Sequence, residues 1–237
     1  MAKTKILCIF VPKKESMKGL LRIGSVYYIA YIMLLMVVIG MICVYPKLEL
    51  HLLLNSHHTA ILDIFFKYYS MMAEGPLYAL ALFPLFWKKI KITVFFALCE
   101  LSAGGFLQIL KHLFSSERPL IAFDRCPDMT FPVVEGVNLH AGNSFPSGHA
   151  STFFIFFTCC AILLALRYRQ TAKQGRYSMF ALLNISLLTL AALGAFSRIY
   201  LSQHFLSDVC VGSIIGFVTP CLMFYFAGNK ILKYRNS

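Results

Sequence analysis

Charge is scarce in this chain. Only 14% of its 237 residues are Asp, Glu, Lys or Arg, against 59% that are hydrophobic. A water-soluble domain of this size carries roughly a quarter charged residues, so a soluble globule is the first class excluded. Acidic residues are the scarcest, ten against 22 Lys and Arg, which leaves a net charge of +12. That surplus does not indicate a nucleic-acid partner. The Lys and Arg residues sit in short clusters between apolar runs, where membrane topology places them, and no basic stripe interleaves with aromatics in a polar domain. Paired cysteines are lacking too. Of the eight, Cys43, Cys99, Cys159, Cys160, Cys210 and Cys221 fall in apolar segments, Cys8 is near the start, and only Cys126 lies in a long polar loop. Neither a disulfide framework nor a paired C-x2-C zinc pattern can be drawn from them. A cleavable leader is not expected, because the apolar stretch at 6–11 is too short and runs into Pro12-Lys13-Lys14. Internal repeats and low-complexity tracts are also missing.

What the chain has is long apolar runs, with a mean hydropathy of +0.71. Six segments stand out, near 23–45, 68–86, 92–110, 149–166, 178–196 and 205–227. Each is close to the ~20 residues a helix needs to cross the hydrocarbon of a bilayer. Backbone groups in lipid must be satisfied within their own segment, so helices are the expected form. The predicted fold is therefore all-α: a polytopic membrane protein of six transmembrane helices. Its domain covers 23–229, between a basic segment at 1–22 and a basic tail at 230–237. Two connections are long. Residues 46–67 mix apolar residues with His51, His57, His58 and Asp63, as an interfacial amphipathic stretch or an ordinary loop would. Residues 111–149 hold much of the chemistry. Glu74 and Glu100 fall inside predicted spans, where an ionisable group is costly, and structural pairing is expected of both.

Three clusters carry that chemistry. Lys111 is followed by six residues and Arg118-Pro119; then comes Pro146-Ser147-Gly148-His149; then Ser197-Arg198, five residues, His204, three residues and Asp208. In a six-helix chain the first cluster closes helix three, the second opens helix four, and the third joins helices five and six. All of these points lie on one side of the membrane, which puts the site at the membrane surface. Lys111, Arg118 and Arg198 supply three fixed cations, and arginine matches phosphate oxygens in a bidentate fork. Lys111 and Arg118 are seven apart and would share a face of a continuous helix. Ser147 and Gly148, just before a helix, offer a hydroxyl and backbone N–H groups to an anion. A histidine can attack phosphorus and another can protonate the leaving oxygen. Asp208, one helical turn after His204, is spaced to hold its imidazole N–H and stabilise the cation that forms.

These clusters resemble the signature of the type 2 phosphatidic acid phosphatase superfamily: Lys-x6-Arg-Pro, Pro-Ser-Gly-His, and Ser-Arg-x5-His-x3-Asp. All three are matched in order and without departure between residues 111 and 208. The resemblance implies that His204 is the nucleophile and forms a phosphohistidine, that Asp208 orients it, and that His149 is the general acid. It assigns Lys111, Arg118, Ser147, Gly148 and Arg198 to binding the phosphate, and implies no metal and no cofactor. The expected function is hydrolysis of a phosphate monoester or pyrophosphate on a membrane lipid. Lipid A is preferred as substrate, ahead of undecaprenyl pyrophosphate, phosphatidylglycerol phosphate or phosphatidic acid. The expected partners are that lipid and the bilayer. Asp124, Arg125, Asp128 and His140 are candidates for shaping the headgroup site, or a solvated loop face.

Rival readings fare worse. A transporter would place its charges near mid-membrane on broken helices or repeats, whereas these sit at helix ends. An inactive lipid-binding scaffold would be expected to lose His149, His204 or Asp208. The haloperoxidase branch shares the motifs but is soluble. The positive-inside rule then sets orientation. Most of the basic residues, among them Lys13, Lys14, Lys18, Arg22, Lys88, Lys89, Lys91, Arg167, Arg169, Lys230 and Lys233, fall on the side opposite the site. The site side receives Lys47, Lys67, Lys111, Arg118, Arg125 and Arg198. Both termini are thus expected in the cytoplasm, and the site on the exoplasmic face of a bacterial inner membrane.

Overall fold

A computed structural model of the chain describes residues 25–171, 177–228 and 231–232. The expected basic segment at 1–22 lies outside the described residues, as does the tail at 230–237 apart from 231 and 232. Nine α-helices run in the order α1 (Ser25–Val44), α2 (Lys47–Leu54), α3 (Ala60–Met71), α4 (Gly75–Lys88), α5 (Ile90–Leu113), α6 (Pro119–Asp124), α7 (Gly148–Thr171), α8 (Tyr177–Tyr200) and α9 (Leu206–Met223) among the described residues. A π-helical turn, Phe224–Gly228, continues α9. No strand occurs among the described residues, so the all-α expectation holds.

Five helices, α1, α5, α7, α8 and α9 with its π turn, are long and apolar enough to cross a membrane, with mean hydropathies of 1.7 to 2.4. Their outer faces carry large apolar side chains in the open: Met33, Met36 and Val37 on α1 are each more than 60% exposed. Such a surface suits hydrocarbon and not water. The chain is an integral membrane protein.

The span expected near 68–86 is not one helix. It falls on α3 and α4, of 12 and 14 residues, either side of a break at Met72–Glu74. The cause is local: Pro76 has no N–H to return to the preceding turn, so the helix restarts there, with Glu74 O accepting the first bond from Tyr78 N at 2.9 Å. Fourteen residues rise only ~21 Å, short of the ~30 Å hydrocarbon layer. The 46–67 connection, expected as an amphipathic stretch or a loop, forms α2 and the first two thirds of α3.

The core is built around α7, which packs along α8 and α9; α5 lies against α7 and α9, and α1 against α8 and α9. The approach of α9 to α7 is very close. A Cβ at Gly212 or Gly216, one turn apart on α9, would collide with the carbonyl oxygens of Ser147 and Ser151, so only glycine fits. That contact lets Ser147 N donate to Asp208 O at 3.0 Å, joining the first turns of the two helices. Tyr27 and Tyr31 of α1 bond Thr158 of α7 (3.2 Å) and Ser213 of α9 (3.3 Å). Glu100 of α5 accepts from Thr152 Oγ1 of α7 at 2.5 Å, the structural pairing expected of it.

The path of the chain sets where the site lies. The end of α5, the start of α7, the end of α8 and the start of α9 meet at one end of the bundle. The α1–α3 connection joins them there through Asn55, which bonds Ser202 between α8 and α9.

Candidate active site

His204 sits in the short link between α8 and α9 and is 2% exposed. The link turns tightly, with Gln203 N and His204 N both donating to Arg198 O, at 2.9 and 3.1 Å. One turn on, Asp208 is the N3 residue of α9, and Phe205 N donates to its Oδ2 at 3.1 Å. The carboxylate thereby closes the helix N-terminus while facing the histidine. His204 Nδ1 lies 3.6 Å from Asp208 Oδ2, an electrostatic contact longer than a hydrogen bond. The gap is bridged. Ser144 Oγ donates to Asp208 Oδ2 at 2.5 Å and lies 3.4 Å from His204 Nδ1. With Nδ1 turned to Ser144 and Asp208, Nε2 is the nitrogen left for substrate. Burial, reinforced by Arg118 and Arg198 and opposed by Asp208, pushes the His204 imidazole down to about 4. The ring is therefore neutral at physiological pH.

Three cations surround this pair. Arg118 is 8% exposed. Its Nε donates to Gly142 O at 2.9 Å, and its Nη1 to Gln203 O and Oε1 at 3.0 and 3.1 Å. The guanidinium is thus fixed to the residue beside His204. Arg198, also 8% exposed, donates from Nη1 to Ser70 Oγ at 2.5 Å, and its Nε is buried without a partner. Lys111 is in the last turn of α5, within electrostatic range of Arg118 and Asp208. It does not share a helix with Arg118: α5 stops at Leu113, and Pro119 opens α6 just after Arg118. A loop brings the two charges together instead of a helical face.

Ser147 caps α7, its Oγ accepting from Ala150 N at 3.4 Å, which leaves the hydroxyl proton free to donate. Gly148 is the first residue of α7, and the space a Cβ would take there is empty. His149 follows and lies within electrostatic range of Arg198, His204, Arg118 and Lys111. All eight residues singled out from the sequence thus come together. Among the loop candidates, His140 feels the charges of Arg118, Arg198 and Lys111, which with burial hold its imidazole below the usual range. Arg125 instead pairs with Glu117 at 2.5 Å.

Sequence reasoning missed Ser144, Gln203 and Ser70. Ser144 lies two residues before the Pro146 cluster and Gln203 is an unspecified position inside the third, just before His204; nothing in the spacing marks Ser70. Among the described residues no group of three or more His, Cys, Asp or Glu is placed to hold a metal.

Known proteins resemble this chain in sequence and in fold. The PAP2 superfamily model matches residues 92–232. A PA-phosphatase related-family protein of Dictyostelium discoideum is 30% identical over 100 residues, 42% of this chain and 37% of its own length. The match therefore spans little more than a third of that relative. The crystal structure of Aquifex aeolicus LpxE superposes with a TM-score of 0.57 at 24% identity, over 77% of this chain and 98% of that one, which shows a shared fold. The matched stretch covers more than half of the chain and contains all eight residues singled out from the sequence: the protein belongs to the PAP2 superfamily.

Proposed function

We propose that this chain hydrolyses a phosphate monoester or pyrophosphate on a membrane lipid through a phosphohistidine at His204. One observation carries the reading: a neutral, buried histidine, backed by Asp208 and Ser144, stands among Lys111, Arg118 and Arg198 where four helix ends meet. In the first step the His204 Nε2 lone pair attacks phosphorus and the bond to the lipid oxygen breaks. His149 gives its proton to the departing oxygen, releasing the dephosphorylated lipid. Asp208 stabilises the positive charge that develops on the imidazole. In the second step His149 takes a proton from water, the water oxygen attacks phosphorus, the N–P bond breaks, and inorganic phosphate leaves. Lys111, Arg118, Arg198, the Ser147 hydroxyl and the N-terminus of α7 hold the phosphoryl oxygens and the charge they gain in the transition state.

No metal enters these steps, because the three cations supply the charge that a metal would otherwise provide. The site lies at the membrane surface, so the phosphate can enter while the hydrocarbon chains stay in lipid. Lipid A is the first substrate proposed and undecaprenyl pyrophosphate the second. We place the enzyme in a bacterial inner membrane, with α3 and α4 together making the sixth crossing as a broken helix. Both termini are then cytoplasmic and the site is exoplasmic. The test is phosphate release by the purified protein from lipid A, undecaprenyl pyrophosphate, phosphatidylglycerol phosphate and phosphatidic acid. Release from none of them would overturn the reading.

A further inference from the structure

The link that carries His204 has an unusual backbone. Ser202, two residues before the histidine, has φ of 51°, the left-handed region that non-glycine residues seldom occupy. Something must hold it there, and the surrounding side chains show what does. Ser202 Oγ accepts from Asn55 Nδ2 at 2.7 Å and donates to Pro132 O at 3.1 Å. His51 Nε2 lies 3.4 Å away on the same oxygen. Asn55 is itself fully buried, and its Oδ1 meets His58 Nε2 at 2.8 Å. The other nitrogen of His58 meets Asp63 Oδ1 at 2.8 Å. That same carboxylate oxygen accepts from Tyr200 Oη at 2.5 Å, and the Tyr200 ring lies 4.2 Å from the His58 ring.

The bonds form a closed circuit. It leaves the catalytic segment at Tyr200, passes through Asp63, His58 and Asn55, and returns to the segment at Ser202. On the opposite side, Gln203 is held by Arg118 and by Asn138 O, which accepts from its Nε2 at 2.9 Å. The turn before His204 is thus gripped from both faces. One grip belongs to the phosphate site; the other comes from Asn55 and His58 of the α2–α3 connection and Asp63 in the first turn of α3.

We infer that Asn55 and Ser202, braced by the His58–Asp63 pair, are positioning residues that fix the His204 imidazole for in-line attack. The inference rests on His204 being the reacting group. Hydrogen bonds that converge on one turn rigidify what they hold; Asn55 and Ser202 are buried, His58 and Asp63 partly exposed. A catalytic group displaced by about 1 Å can lose about 10²-fold in rate. Among the described residues the circuit's hydrogen bonds do not include Lys111, Arg118 or Arg198, so it should govern turnover and not binding.

The test uses the full-length protein in nanodiscs with Ser202→Ala, Asn55→Ala and, as a control in the same connection but outside the circuit, Ser56→Ala. Ser202→Ala removes a single oxygen and guards against Asn55→Ala failing to fold. Both circuit variants should lower kcat by about 10- to 100-fold with KM within about twofold of wild type, while Ser56→Ala is unchanged. Hydrogen–deuterium exchange gives a second readout that needs no substrate. Amides 201–205 should exchange faster in Ser202→Ala, with α7 as protected as before. If wild-type protein releases phosphate from no lipid, the phosphatase reading fails and the exchange result alone decides the circuit. A kcat of Ser202→Ala within about twofold of wild type, or loop exchange as slow as in wild type, would overturn the inference.

Discussion

Ser144 offers a sharp test of how the histidine is held. Its Oγ faces Asp208 Oδ2 and His204 Nδ1, not the Nε2 side of the ring, so Ser144→Ala should not change contacts with the phosphate. It removes the shortest bond to the Asp208 carboxylate, the 2.5 Å one from Ser144 Oγ. What remains are Phe205 N at 3.1 Å, Ser207 Oγ at 3.3 Å and His204 Nδ1 at 3.6 Å. A hydrogen bond to a charged group is worth about 1.5–3 kcal/mol. If the carboxylate loses that much of its hold on the imidazole cation formed in the transition state, kcat falls by roughly 10- to 150-fold, at about 1.4 kcal/mol per tenfold. The assay is phosphate release in mixed micelles, with kcat and KM resolved and the fold checked by size exclusion and thermal unfolding. The cycle with Asp208→Asn adds a second criterion: groups acting as one unit do not add, so Ser144→Ala should cost little once Asp208 is gone. Full kcat in folded Ser144→Ala, or strict additivity with Asp208→Asn, would refute the bridging role.

Other expectations follow from the same geometry. His204 must be neutral to attack, and burial with Arg118 and Arg198 brings it down to about 4. The acid limb of kcat/KM should therefore fall near pH 4 and not near the usual ~6.5 of histidine. The sign for stability is the same: the folded form favours the neutral ring, so this contribution is complete above the unfolded value and is lost as pH falls toward 4, as acid unfolding curves should show. Orthovanadate should inhibit competitively, since the three cations favour a five-coordinate phosphoryl-like anion. A chelator should leave turnover unchanged; loss restored by magnesium would contradict the proposal. Gly212→Ala should lower the melting temperature through overpacking worth about 1–3 kcal/mol, because its Cβ meets the Ser147 carbonyl. For orientation, Asn138→Cys in a cysteine-free background should react with an impermeant maleimide in spheroplasts, since residue 138 is exposed in the site-side loop. Labelling only after the membrane is broken would invert the topology.

The helices and the chemical residues were legible for different reasons. Five spans could be read because each is a long apolar run, and an internal Pro220 or Glu100 does not break the helix that carries it. The segment at 68–86 misled because hydropathy is blind to Pro76, which restarts the helix inside an otherwise apolar stretch. The eight candidate site residues were legible because their types, order and spacing match the three motifs of the superfamily. Ser144 and the Asn55–Ser202 circuit were not. Their roles depend on how loops fold back on the α8–α9 turn, and a serine or asparagine in a loop carries no periodic signal. The shared face expected for Lys111 and Arg118 does not form because α5 stops at Leu113, with Phe114 extended, and the loop that follows brings the two charges together.

The most direct measurement is to catch the covalent intermediate. The wild-type protein is mixed with a ³²P-labelled lipid phosphate, quenched in alkali within milliseconds, and digested, with His204→Ala run in parallel. The account requires base-stable, acid-labile label on the peptide containing His204, forming faster than phosphate is released, and none in His204→Ala, which should also be inactive. Turnover by wild type with no label on that peptide, or full turnover by folded His204→Ala, would contradict it.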